Sequence, residues 1–142
     1  MFQSKKSEYR VLVCGGRDYG KRWDAHLSSF VVDTHAVHHL HKVLQDILDT
    51  RVPAGSELVI VHGAAAGADS VAAAWAKSKR IPDMPFPADW SGKSGGIERN
   101  IQMLEESEPE LVVAFPGGRG TAHMIGLARK TRTPLMVIEY EN

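Results

Sequence analysis

Residues 9–19, YRVLVCGGRDY, set a short apolar run against two glycines and then a charged, aromatic tail. The run at 9–14 is too short for an ordinary helix and too continuous for a strand with one wet face. It reads as a strand buried on both sides and halted by Gly15-Gly16. The device recurs: the run at 58–61 stops before Gly63, and the run at 110–115 stops before Pro116-Gly117-Gly118. Residues 134–140 supply a terminal strand, with proline suited to its first position. Residues 83–87 give a shorter strand, interrupted by Pro85.

Helical spacing fills the intervals. Val37, Leu40, Val43, Leu44, Ile47 and Leu48 share a stripe over 36–50, and further helices are expected at 69–79, 97–107 and 121–130. Strands alternating with helices predict a doubly wound, Rossmann-like three-layer α/β domain. About five parallel strands are expected, in spatial order 3-2-1-4-5. The stretch 19–35 is irregular, and a short helix, a lid and an extra edge strand are all open to it. Its length marks 21–35 as a surface insertion.

The chain has 142 residues, 43% of them apolar, enough for one core and without a composition break, so a single domain over 1–142 is expected. Seventeen basic residues balance seventeen acidic ones, which removes any global positive field for an extended nucleic-acid or membrane surface. Phosphate recognition must therefore come from local geometry. Cys14 is the sole cysteine, which excludes an intramolecular disulfide and a thiolate metal cluster. With no apolar leader or membrane-length run, a cytoplasmic protein without a membrane partner is the simplest placement. The histidines at 26, 35, 38, 39 and 41 fall on more than one helical face, and neither a metal site nor a cofactor is called for.

The chemistry is concentrated where the strands stop. Gly15 and Gly16 permit close backbone approach, Arg17 offers several donors to a phosphate or pairs with Asp18, and Tyr19 either stacks on a base or closes the core edge. The second loop, HGAAAGAD, combines Gly63 and Gly67 with Asp69, which is either a first-turn carboxylate complementing the helix donors or a contact to a ribose hydroxyl. It is neither a Walker A loop nor a GxGxxG fingerprint. The third loop joins Gly117, Gly118, Arg119, Gly120 and Thr121 at a helix start, where backbone amides can wrap an anion. Between them, FPADWSGKSGGIERN brings Asp89, Trp90, Arg99 and Asn100. Trp90 can be a base-stacking wall or core packing, and Arg99 can meet phosphate or pair with Glu98 or Asp89. All these loops open at one carboxyl edge of a parallel sheet, which makes them one cleft.

The ordered set VLVCGGRDY, VIVHGAAAGADSVAAAWA, FPADW, GIERNIQM and VVAFPGGRGTAHM resembles the SLOG superfamily, in particular its small YspA-like branch, over residues 10–138. The resemblance implies a Rossmann-like fold, a nucleotide-like small-molecule ligand and self-association as a homodimer. In the related LOG enzymes, which hydrolyse the N-glycosidic bond of nucleoside monophosphates, an RKxxM segment accompanies PGGxGTxxE. Residues 99–103 align with the first, retaining its arginine and methionine with Asn100 in place of the lysine, and residues 116–124 align with the second, except that Met124 stands where it ends in glutamate. Methionine is no acid or base. A hydrolase would therefore need Arg99 with a relocated acid, for which Asp69 and Asp89 are the candidates; Asp18 and His123 are other sources of proton transfer. The HGAAAGAD segment also resembles the DprA branch, which makes single-stranded DNA the less favoured ligand.

Overall fold

The computed structural model describes residues 7–92 and 95–139. In chain order the elements are β1 (Ser7–Cys14), β2 (Lys21–Asp24), β3 (Ser29–Val32), α1 (Thr34–Thr50), β4 (Ser56–His62), α2 (Ala68–Ser78), β5 (Asp83–Pro85), α3 (Gly95–Ser107), β6 (Leu111–Ala114), α4 (Arg119–Lys130) and β7 (Leu135–Val137). Five strands form one sheet in the order β5-β4-β1-β6-β7, every neighbouring pair parallel. Counted along the chain this is the expected 3-2-1-4-5.

The central strand explains why the sheet is covered on both sides. Successive side chains of a strand point to opposite faces. Val11 and Val13 join Leu58, Ile60, Leu111 and Val113 in a cluster closed by Leu40, Leu44 and Ile47 of α1 and by Ala72, Trp75 and Ala76 of α2. Leu12 and Cys14 point the other way, with Val61, Val112 and Ala114, against Met103 and Leu104 of α3 and Met124 and Ala128 of α4. Val11, Leu12 and Val13 have no solvent exposure. Burying each contributes roughly 1.5–3 kcal/mol, so β1 anchors both layers.

Boundaries moved where backbone bonding overrides side-chain pattern. α4 begins at Arg119 rather than 121, because Ala122 N already donates to Gly118 O at 3.0 Å. Likewise α3 starts at its glycines, two residues earlier than apolar spacing suggests. β7 stops at Val137, although Ile138 N still donates to Ala114 O at 2.8 Å. Tyr140 of the expected strand, and Lys93 and Ser94 of the segment before α3, lie outside the described residues.

The irregular stretch after Tyr19 is a separate antiparallel hairpin of β2 and β3. Asp24 Oδ1 accepts from the amides of His26 and Leu27 at 2.9 and 3.1 Å and shapes its turn. Trp23 and Phe30 face each other across the ladder, ring centroids 5.4 Å apart, and both are exposed. The chain leaves at Gly20 and returns at Asp33, joined by a 2.8 Å bond from Asp33 N to Gly20 O. Asp33 then caps α1 by accepting from Ala36 N at 3.1 Å. Among the described residues, no helix is long and apolar enough to cross a membrane.

Candidate functional site

The three glycine loops meet at the carboxyl edge of the sheet through the peptide of Gly16. Its N–H donates to Pro116 O at 2.9 Å, and its carbonyl accepts from Ala68 N at 3.1 Å and Tyr19 N at 3.2 Å. Close approach demands glycine on the partners. Gly67 has φ +82°, and a Cβ there would run into Gly16 O and the Arg17 carbonyl carbon. At Gly117 a Cβ would lie 2.6 Å from Gly16 N and against Thr121 Oγ1. Gly67 and Gly117 thus close the loops on one another; neither lines the cleft.

That cleft has a volume of about 680 Å³ and lies between loops 1 and 3 and the first turns of α3 and α4. Gly15, Gly16, Arg17, Asp69, Trp90 and Arg99 line it, together with Asn100, Gly118, Arg119, Gly120 and Thr121, all expected from the sequence. A smaller hollow of about 280 Å³ adjoins it, bounded by Gly63, Pro87 and Ala88 and sharing Arg17, Trp90 and Arg99 with it. Besides Gly67 and Gly117, three more expected residues are placed elsewhere. Asp18 is exposed and is not part of the lining. Tyr19 closes the core edge, its ring 5.4 Å from that of Phe115 and its hydroxyl donating to Ala36 O at 3.0 Å. Asp89 is exposed, its Oδ1 accepting from the Ser91 hydroxyl at 2.7 Å and the Ser91 amide at 3.0 Å, contacts that hold its carboxyl below the usual range.

The starts of α2 and α4 both face this edge, and both have a glycine N-cap with no side-chain cap; they differ in what surrounds them. Before α2, Asp69 Oδ2 folds back on the preceding loop and accepts from Gly63 N at 3.0 Å and Ala65 N at 3.3 Å, while the first helical amide, Ala68 N, is taken by Gly16 O. At α4 the N-cap is Gly118 and no side chain caps the turn. The first amides of a helix have no intrahelical acceptor, and the helix dipole makes that end attractive to anions. A Cβ built on Gly118 or Gly120 would meet nothing within 4 Å, so the space above this turn is open. Arg119 stands beside it.

Charge in the cleft is controlled by burial. Burial pushes the Asp69 carboxyl above its ordinary value, opposed by the amides of Ala65 and Gly63 and by the Arg99 charge. It pushes the Cys14 thiol up to about 12, with the Asp69 charge adding to the effect and Arg99 opposing it. Cys14 is therefore a protonated part of the floor rather than a nucleophile. Burial also lowers Arg99, Asp69 opposing and Arg17 reinforcing the shift. Arg99 bonds extensively to the protein itself: its Nη1 donates to Gly63 O and its Nε to Asn100 Oδ1 at 3.1 Å. Arg17 lies over the Trp90 ring, 4.9 Å from its centroid, and Trp90 is 61% exposed, so the pair forms a flat cationic roof rather than core packing.

Sequence reasoning missed the bracing beneath the second loop. His62, buried at the end of β4, accepts from Ala64 N at Nδ1 (3.0 Å) and bonds Asp83 Oδ2 through Nε2 at 2.7 Å. An accepting Nδ1 fixes the proton on Nε2. A lone histidine at a strand end carries no such signal without its distant partner. His123, named only as a possible proton source, lines the cleft, whereas Met124 beside it is fully buried in the core. Among the described residues no group of three or more His, Cys, Asp or Glu side chains could hold a metal ion.

Two comparisons bear on this geometry. The family model described as YspA, cpYpsA-related SLOG family (YAcAr) matches residues 9–92, which include the first two loops and Trp90. The Gene 61 protein of Mycobacterium phage D29 is 36% identical over 140 residues, an overlap covering 89% of this chain and 94% of the phage protein.

Proposed function

Because the chain belongs to the YspA, cpYpsA-related SLOG family, we propose that its cleft binds a phosphorylated nucleoside or nucleotide derivative and serves to sense or store it. The observation that carries this reading is the uncapped start of α4, open to the cleft above Gly118 and Gly120 and flanked by Arg119. A phosphate there accepts backbone donors in a site already biased toward negative charge. In the second loop the amides of Gly63 and Ala65 are already held by Asp69 and that of Ala68 by Gly16 O, which favours the third loop for the phosphate and leaves Asp69 to face a sugar hydroxyl. The Arg17–Trp90 roof suits the face of a base. A soluble cytoplasmic homodimer completes the proposal, with the exposed Trp23, Leu27 and Phe30 of the hairpin as apolar surface available for pairing.

The test is to identify by mass spectrometry the ligand that copurifies from cells. Calorimetry then compares that species with its dephosphorylated form. Preference for the phosphorylated form is expected, and equal affinity refutes the phosphate cradle. Release of free base in the same assay would establish N-glycoside hydrolysis in place of sensing. Tighter, strongly salt-dependent binding of single-stranded oligonucleotides would replace the small-molecule reading with DNA binding.

A further inference from the structure

A hydrogen-bond chain crosses the cleft floor and dictates where one proton resides. Arg99 has donors and no acceptor, so the Asn100 atom that meets its Nε at 3.1 Å is the amide oxygen. The Asn100 nitrogen is therefore the atom 3.1 Å from Gly120 O, a group that can only accept, and this second contact agrees with the first. The same nitrogen lies 3.1 Å from His123 Nδ1. With Asn100 donating, Nδ1 must accept and the imidazole carries its proton on Nε2. Asn100 is 5% exposed, and rotating its amide would break both fixing contacts.

His123 stands on α4 three residues after Gly120 and four after Arg119, on the same helix face. A helical side chain leans back toward the N-terminus of its helix, here toward the open first turn. Gly120 has no side chain to intervene, and its own Cβ position is empty. We propose that His123, held by Asn100 as the Nε2–H tautomer, donates a hydrogen bond to a phosphate oxygen of the ligand and is a specificity-determining contact of the cleft. The inference rests on the phosphate site assigned to α4. His123 adds a donor whose direction is set before the ligand arrives, which avoids the cost of ordering it on binding.

The experiment uses the full chain with 15N-labelled histidine and backbone. Long-range 15N–1H correlation reads the His123 tautomer, and titration with inorganic phosphate then follows His123 together with the Gly120 and Thr121 amides. The expected result is a protonated Nε2, an unprotonated Nδ1, and saturable shifts at all three residues. In parallel, His123→Leu should bind a nucleoside 5′-monophosphate roughly tenfold more weakly, the loss of one hydrogen bond to a charged group. It should leave the affinity for the nucleoside unchanged. His123→Gln, whose amide can donate from a similar place, should recover most of the loss. A protonated Nδ1, or shifts at Gly120 and Thr121 without His123, would overturn the inference while leaving the cradle intact. No shift at any of the three would overturn the cradle and the inference with it.

Discussion

Gly120→Ala separates what the fold needs from what the ligand needs. The residue lies in the first turn of α4, and a Cβ built there meets no atom within 4 Å. The protein's own packing therefore has room for alanine. Relieving the conformational freedom of glycine in a helix should stabilise the fold by roughly 0.5–1 kcal/mol. In a chain of this size that raises Tm by about 2–3 °C. The same methyl occupies the space above the turn where a phosphate would sit, and displacing a charge-assisted hydrogen bond costs about 2 kcal/mol, or roughly thirtyfold in affinity. Gly126→Ala is the control: it too is open, but lies farther along α4 and outside the cleft lining. It should stabilise by about 1 kcal/mol and leave binding unchanged. Thermal unfolding and calorimetry with a nucleoside 5′-monophosphate measure both quantities on each variant. Undiminished affinity in a stabilised Gly120→Ala protein would refute the placement of phosphate over this turn.

Trp90→Ala should leave stability within about 0.5 kcal/mol of the parent, since the ring is mostly exposed, yet weaken a nucleotide by about 1–3 kcal/mol if it stacks on the base; fluorescence or calorimetric titration reads the difference. Arg99→Ala should weaken monophosphate binding and also destabilise the fold by roughly 1.5–3 kcal/mol, because its guanidinium bonds Gly63 O and Asn100; denaturant unfolding at parental stability would contradict that bracing role. Burial raises the Asp69 pKa, so the folded chain holds a proton there at pH values where the unfolded chain has released it, and this contribution to stability grows as pH falls through the folded value toward the ordinary carboxylate value. Asp69→Asn keeps an acceptor for Gly63 N and Ala65 N but lacks the titration, so the stability of the parent relative to this variant should rise on acidification; a pH-independent difference refutes it. Gly67→Ala combines φ +82° with contact against Gly16 O and Arg17, and should lower stability by at least about 1–3 kcal/mol in chemical denaturation.

The parallel sheet was legible because each core strand announces its end: an apolar run cannot continue through Gly15-Gly16 or Pro116-Gly117-Gly118. The shared edge of the loops followed from topology, and most residues named from the loops do line the cleft. The sequence leaves a choice open where a side chain has two plausible partners. Tyr19 follows a glycine loop as a base-stacking residue would, but its ring meets Phe115, which lies far along the sequence. Asp89 is one of two candidates for a relocated acid, and its carboxylate is engaged two residues away by Ser91. The hairpin escaped prediction because Lys21–Asp24 has little alternation of apolar and polar residues and its pairing partner is equally short. His62 and Asn100 act through hydrogen bonds to residues distant in sequence, and neither helical nor strand periodicity records those.

The Gly16 peptide ties together positions 16, 68 and 116, which belong to different crossovers of the sheet. Such contacts have high sequence separation, and they gain their geometry only after β1, β4 and β6 are side by side. The cleft is accordingly a product of the completed fold and has no counterpart in an isolated loop or a half-assembled chain. A ligand that recognises it discriminates against every partly folded form. At a free concentration one hundred times its Kd, such a ligand adds about 2.7 kcal/mol to global stability. Occupancy of the site would then lengthen the survival of the protein against proteolysis of its unfolded form.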